Sequence, residues 1–119
     1  MKFEVKIEEI KGREVGEIQS PNILVNNLDD GLDLLGDIYY QGIEVLIMQE
    51  KNFHPTFFDL SNGTAGEILQ KFSNFRMCLI IVCDFSNFTK KSMKDFIRES
   101  NKGDLINFVQ SLEEAEHRV

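Results

Sequence analysis

With 119 residues, 42% of them hydrophobic and 28% charged, the chain has the length and composition of one globular unit, and a chain of this size buries about two thirds of its unfolded surface. Its formal net charge is −7 and its sequence pI about 4.8, with the positive charges scattered, so a phosphate backbone would be repelled and nucleic acid is not an expected partner. The apolar runs are too short and interrupted to span a bilayer, and Met1 leads into charged, alternating sequence instead of an apolar signal core, so a cytoplasmic protein without a membrane segment is expected.

Residues 2–8 alternate Phe3, Val5 and Ile7 with charged neighbours, the pattern of a strand with one wet face. Beyond Lys11 and Gly12 a second short strand carries Val15 and Ile18, and the two predict a hairpin. Ser20, Pro21 and Asn22 break the pattern. Asn26 or Asn27 then caps a helix whose Leu28, Leu32, Leu35 and Tyr39 form one stripe before Gly42 stops it.

The runs 43–48 and 77–82 are almost continuously apolar, as strands covered on both faces are, and are expected to be adjacent, central and parallel. Between them Ala65, Ile68, Leu69 and Phe72 recur at helical spacing. Met93, Phe96 and Ile97 repeat the spacing after the second run, until Asn101, Lys102 and Gly103 end it. A last strand over 105–109 leads to Ser111 and Glu114, spaced as a capping box that opens a short final helix. No internal repeat, low-complexity segment or linker is read. The expected architecture is a single α/β domain over residues 1–119: an N-terminal hairpin, then βαβαβ units, giving a mixed sheet of about five strands packed with about four helices.

Cys78 and Cys83 are five residues apart in one strand run, so their side chains point to opposite faces and are expected to be free, buried thiols. His54 and His117 lie far apart and no Cys-x-x-Cys motif occurs, so neither a zinc site nor any cofactor is expected. Asp30, Asp33 and Asp37 make an acidic ridge on the first helix, readable as a weak hard-cation site or as a solvated face.

In an open α/β sheet, ligands favour the crevice beyond the carboxyl ends of the parallel strands. Glu50 and His54, then Asp59, Ser61, Asn62, Gly63 and Thr64, follow the first central run; Asp84 and Ser86 follow the second. The turn Ser61 to Gly66 sets small residues at a helix N-terminus, where free N–H groups and the dipole favour an anion, yet Thr64 with Glu67 equally makes a capping box. No Walker lysine and no G-x-G-x-x-G accompanies it. Lys90 and Lys91 fall in a first helical turn, where cations are mildly unfavourable; an anionic partner would relieve this, and a solvated face explains it equally. Asp59 and Asp84 are an acid/base pair or two local caps, and neither Cys83 nor the histidines form an evident nucleophile and base.

The words Phe57-Phe58-Asp59-Leu60, Gly66-Glu67-Ile68-Leu69-Gln70-Lys71-Phe72, Asp84-Phe85-Ser86 and Lys94 to Gly103 resemble an uncharacterised bacterial domain-of-unknown-function family. More distantly, the order of elements is similar to STAS domains, the fold of bacterial anti-sigma factor antagonists. That resemblance implies a regulatory module whose turn serine is phosphorylated by a partner kinase, with Ser61 as the nearest counterpart and Asp59 resembling the aspartate before the turn. The turn here is one residue longer than the antagonist motif, and Pro55 interrupts its approach. The expected function is thus a non-enzymatic protein-interaction module controlled at Ser61 or Thr64, with a homo-oligomer as one form of partnership. Small-ligand or nucleotide binding at the same helix start, and a hydrolase using Asp59 and Asp84, are the alternatives.

Overall fold

A computed structural model describes residues 3–119 of the chain, so Met1 and Lys2, where the first strand was expected to start, lie outside the described residues. Strands β1 (Glu4–Ile10) and β2 (Arg13–Gln19) pair antiparallel with Ile10 opposite Arg13. Lys11 and Gly12 between them have φ of 52° and 78°, the left-handed pair that a two-residue type I′ turn requires.

After the hairpin the chain alternates α1 (Leu28–Tyr40), β3 (Val45–Gln49), α2 (Thr64–Asn74), β4 (Cys78–Val82), α3 (Lys91–Ser100), β5 (Ile106–Val109) and α4 (Leu112–Arg118). The sheet runs β1-β2-β3-β4-β5, and every pair after the first is parallel. The fold is α/β, a mixed five-stranded sheet with four helices, and the two apolar runs are the neighbouring parallel strands β3 and β4.

Right-handed crossovers stepping in one direction place their helices on one face. Accordingly Leu34, Leu35, Ile68, Leu69, Met93 and Ile97 share a single core with Leu46, Leu79 and Ile81. The other face is covered by α4: Ala115, fully buried, packs with Val15, Val45, Ile47 and Ile80. Lys11 Nζ donates to the His117 carbonyl at 2.8 Å, tying the end of α4 to the hairpin turn. Cys78 belongs to the α4 face and Cys83 to the opposite one, and both are free.

Three local expectations are corrected. The buried face of α1 is Gly31, Leu34, Leu35 and Ile38, and Tyr39 is more than half exposed. Gly31 turns inward because α2 approaches closely: a Cβ there would lie 3.0 Å from Ile68. The N-cap of α1 is Asn27, one of the two expected, whose Oδ1 accepts from Asp30 N at 2.9 Å. At α2 no Thr64–Glu67 box forms. Gly63, with φ of 76°, is the N-cap, and Thr64 is already helical, its N–H donating to Asn62 Oδ1 at 2.9 Å. Ser111 does cap α4 through Glu114 N, but the Glu114 carboxylate reaches back to Gln110 N instead of Ser111 N.

Candidate functional site

The carboxyl ends of β3, β4 and β5 point toward one open cleft of about 1050 Å³, lined among others by Gln49, Val82 and Gln110. The long β3–α2 connection builds most of its wall. Asn52, fully buried, fixes the start of that connection: its Oδ1 accepts from Gln49 N at 2.9 Å, and its Nδ2 donates to the carbonyls of Ser20 and Asn22, both at 2.9 Å. Its own carbonyl accepts from Leu24 N and Val25 N. One amide thereby stitches the segment after the hairpin to the loop that shapes the cleft.

Phe53, Phe57 and Phe58 follow, packed edge to face and tilted at centroid distances of 4.4 to 6.0 Å, and Phe58 meets Phe88 of the β4–α3 connection at 5.2 Å. Phe53, Phe58, Phe88, Val82, Cys83 and Met93 give the cleft an apolar floor. Glu50, Lys51, Asp59, Ser61, Asp84 and Lys90 stand around it.

Two rim turns have the same construction. In Asp59-Leu60-Ser61-Asn62 and Asp84-Phe85-Ser86-Asn87, the aspartate Oδ1 accepts from the serine N–H, at 3.2 and 2.9 Å, and from the serine Oγ, at 2.6 Å in both. Each aspartate caps a short 3-10 turn, the local structure that Asx side chains favour. The Asp-x-Ser-Asn word is thus a small structural repeat, too short to register as periodicity. The asparagines differ: Asn62 donates to the Thr56 carbonyl at 2.7 Å, and Asn87 to Glu50 Oε2 at 3.1 Å. Glu50 also accepts from Asp84 N at 3.0 Å, so it braces the β4 turn against the end of β3.

The serine hydroxyl, then the serine N–H, holds each aspartate carboxyl below its usual range, at Asp59 with a smaller contribution from Lys90. Cys83 moves the other way. Burial first, then the charges of Glu50 and Asp84, push its thiol up to about 12, which leaves it protonated and poorly nucleophilic at neutral pH. His54 Nδ1 lies 2.8 Å from Thr56 Oγ1 in its own turn. Lys91 is matched by Asp95 at 3.2 Å one turn on, and Lys90 is the helix-start cation left on the cleft rim.

Of the residues picked from sequence, Asp59, Ser61 and Asp84 line the cleft together, whereas Asn62, Gly63, Thr64 and Ser86 do not. Asn62 and Gly63 shape the entry to α2 behind the rim, and Ser86 turns its hydroxyl to Asp84. The aromatic floor and Asn52 are not among the residues picked from sequence. The run of Phe53, Phe57 and Phe58 was the available signal for the first; Asn52 had none, since its partners lie about 30 residues away. Among the described residues no group of three or more His, Cys, Asp or Glu is arranged to hold a metal ion, and no helix is long and apolar enough to cross a membrane.

No curated protein and no solved structure matches the chain. A family model described as a domain of unknown function (DUF4180) matches residues 10–119, nearly the whole chain, and the protein belongs to that family.

Proposed function

We propose that the protein is a cytoplasmic, non-enzymatic regulatory module of STAS type that receives a protein partner at the cleft beyond β3 and β4, with Ser61 as its control point. The observation carrying this reading is the position of Ser61: an exposed hydroxyl on the rim of an open cleft with an aromatic floor, in the connection between β3 and α2. The sequence of hairpin, helix, strand, turn and helix supports the STAS resemblance, in which that connection carries the phosphorylated serine.

Phosphorylation would replace the hydrogen that Ser61 donates to Asp59 by about −1.5 to −2 charges beside a carboxylate. The turn could not keep its present bonding; the phosphate would be drawn to Lys90 and the start of α2 and repelled by Asp59. A partner touching the rim would sense the change. A hydrolase is poorly supported, because Asp59 and Asp84 are both held ionised well below neutral pH, whereas a general acid needs a pKa near its working pH.

Immobilised wild type, Leu60→Asp and Ser61→Asp, each checked for folding, would be exposed to lysate of the source cells and retained proteins quantified by mass spectrometry. Retention of a protein by wild type, its loss on Leu60→Asp and altered retention on Ser61→Asp are expected, together with phosphate on Ser61 of the protein isolated from cells. Equal retention by all three, or no reproducible partner, overturns the reading. Convergence of polar groups over an apolar floor also favours a second reading, a small ligand in the same cleft. A ligand that raises the melting temperature of wild type but not of Phe58→Ala would select it.

A further inference from the structure

A second groove, of about 370 Å³, lies beside the cleft between the Asp84 to Asn87 turn and α3, and its charge is opposite to that of the protein as a whole. Phe85, Phe88 and Ile97 form its apolar lining, and Lys94, Arg98 and Lys102 stand along its edge. Lys94 and Arg98 are four residues apart on α3, hence on one helical face, and Lys102 follows just beyond the helix end. Three cations gathered at one apolar groove in a chain of net charge −7 make a local field suited to an anion with an apolar body.

We infer that this groove binds an aliphatic carboxylate, its chain on Phe85, Phe88 and Ile97 and its carboxylate between Lys94 and Arg98.

The neighbouring charges place the head group. Arg98 is paired with Asp95 at 3.0 Å and Lys102 with Glu99 at 3.0 Å, whereas Lys94 has no ion pair among the described residues. Those pairs are exposed, and exposed pairs contribute little, so Arg98 is free to exchange a partner for a ligand carboxylate. The negative end of the α3 dipole, at Asn101, opposes an anion beside Lys102 and favours the position nearer Lys94. The Asn101 amide is already occupied by both backbone groups of Phe108, at 2.7 and 2.9 Å, and supplies wall but no recognition. Phe88 is shared with the floor of the main cleft, but Phe85, Ile97 and the three cations lie outside the lining of that cleft.

The test is a nitrogen-15 NMR titration of the intact chain with decanoate, below its micelle concentration, beside decyltrimethylammonium, acetate and an acidic amphipathic peptide. Saturable shifts confined to Phe85 to Phe88 and Lys94 to Lys102 are expected with decanoate, acetate being too small to bind. Lys94→Glu, a surface change, should weaken decanoate by about tenfold or more, the loss of one charge-assisted contact. Lys94→Arg should restore it. Equal binding of the cationic amphiphile, shifts spread over the exposed aromatic side chains Tyr39, Tyr40 and Phe75, of which Tyr39 and Phe75 are in ring contact, or retention of full affinity by folded Lys94→Glu would overturn the assignment. Binding of the peptide without decanoate would do so too, making the groove a protein contact.

Discussion

At the residue scale, the short hydrogen bonds of Ser61 and Ser86 set the acidity of the two rim aspartates. Both carboxyls have folded pKa values below their unfolded ones, so what these bonds contribute to stability is present above the unfolded carboxylate pKa, near 3.9, and is lost as pH falls through the folded value. Carbon-detected NMR titration should give midpoints for Asp59 and Asp84 below the ordinary range, rising in Ser61→Ala and Ser86→Ala respectively. Asn52 is the residue on which the cleft wall depends. Asn52→Ala leaves Gln49 N and two carbonyls without their partner in a buried site, and should destabilise the protein by about 2–4 kcal/mol in urea unfolding. Neither effect was legible from sequence for Asn52, because a side-chain amide with partners about 30 residues away leaves no periodic trace; Asp59 and Ser61 were legible because their bonds are local.

At the element scale, the strands and α1 to α3 were readable from their apolar patterns and α4 from its Ser111 cap, and faces failed where spacing was ambiguous. The helix α1 carries Leu28, Leu32, Leu34, Leu35, Ile38, Tyr39 and Tyr40, apolar residues on more than one side, so several stripes fit it. Gly31 decided between them, since the absence of a side chain lets Ile68 of α2 approach, and an apolarity count gives glycine no vote. Two glycines of the same helix should therefore respond in opposite ways. Gly36, exposed with open space where a Cβ would go, should gain about 1 kcal/mol on Gly36→Ala through helix propensity. Gly31→Ala gains the same propensity but presses on Ile68, whose branched side chain has little freedom, and crowding costing about 1–3 kcal/mol makes the net change destabilising. Thermal unfolding of both variants checks the pair.

At the scale of the whole molecule, the sheet is closed off unequally: three crossover helices on one face, the seven residues of α4 on the other. Ala115, fully buried against Val45 and Ile47, is the contact on which that second layer rests. Ala115→Asp would bury a charge without a partner, and we expect it to free α4 and expose the strands beneath, seen as binding of a hydrophobic dye and a lowered melting temperature. Lys11→Ala, removing an exposed bond from the same clasp, should change stability by no more than about 0.5 kcal/mol. The layered α/β plan was legible because doubly apolar strands demand cover on both sides. That one short helix would provide the second cover was not, since its length gives no hint of its reach.

Strand order equal to chain order has a consequence for biosynthesis. Each strand leaving the ribosome meets its sheet neighbour already made, so β1 to β5 can be added one after another with their helices, without waiting for a distant segment. The α4 layer is the exception. Until residues 112–118 emerge, Val15, Val45, Ile47 and Ile80 form a bare apolar sheet surface on an otherwise assembled chain. That interval is when the nascent protein is most open to aggregation and to chaperone capture.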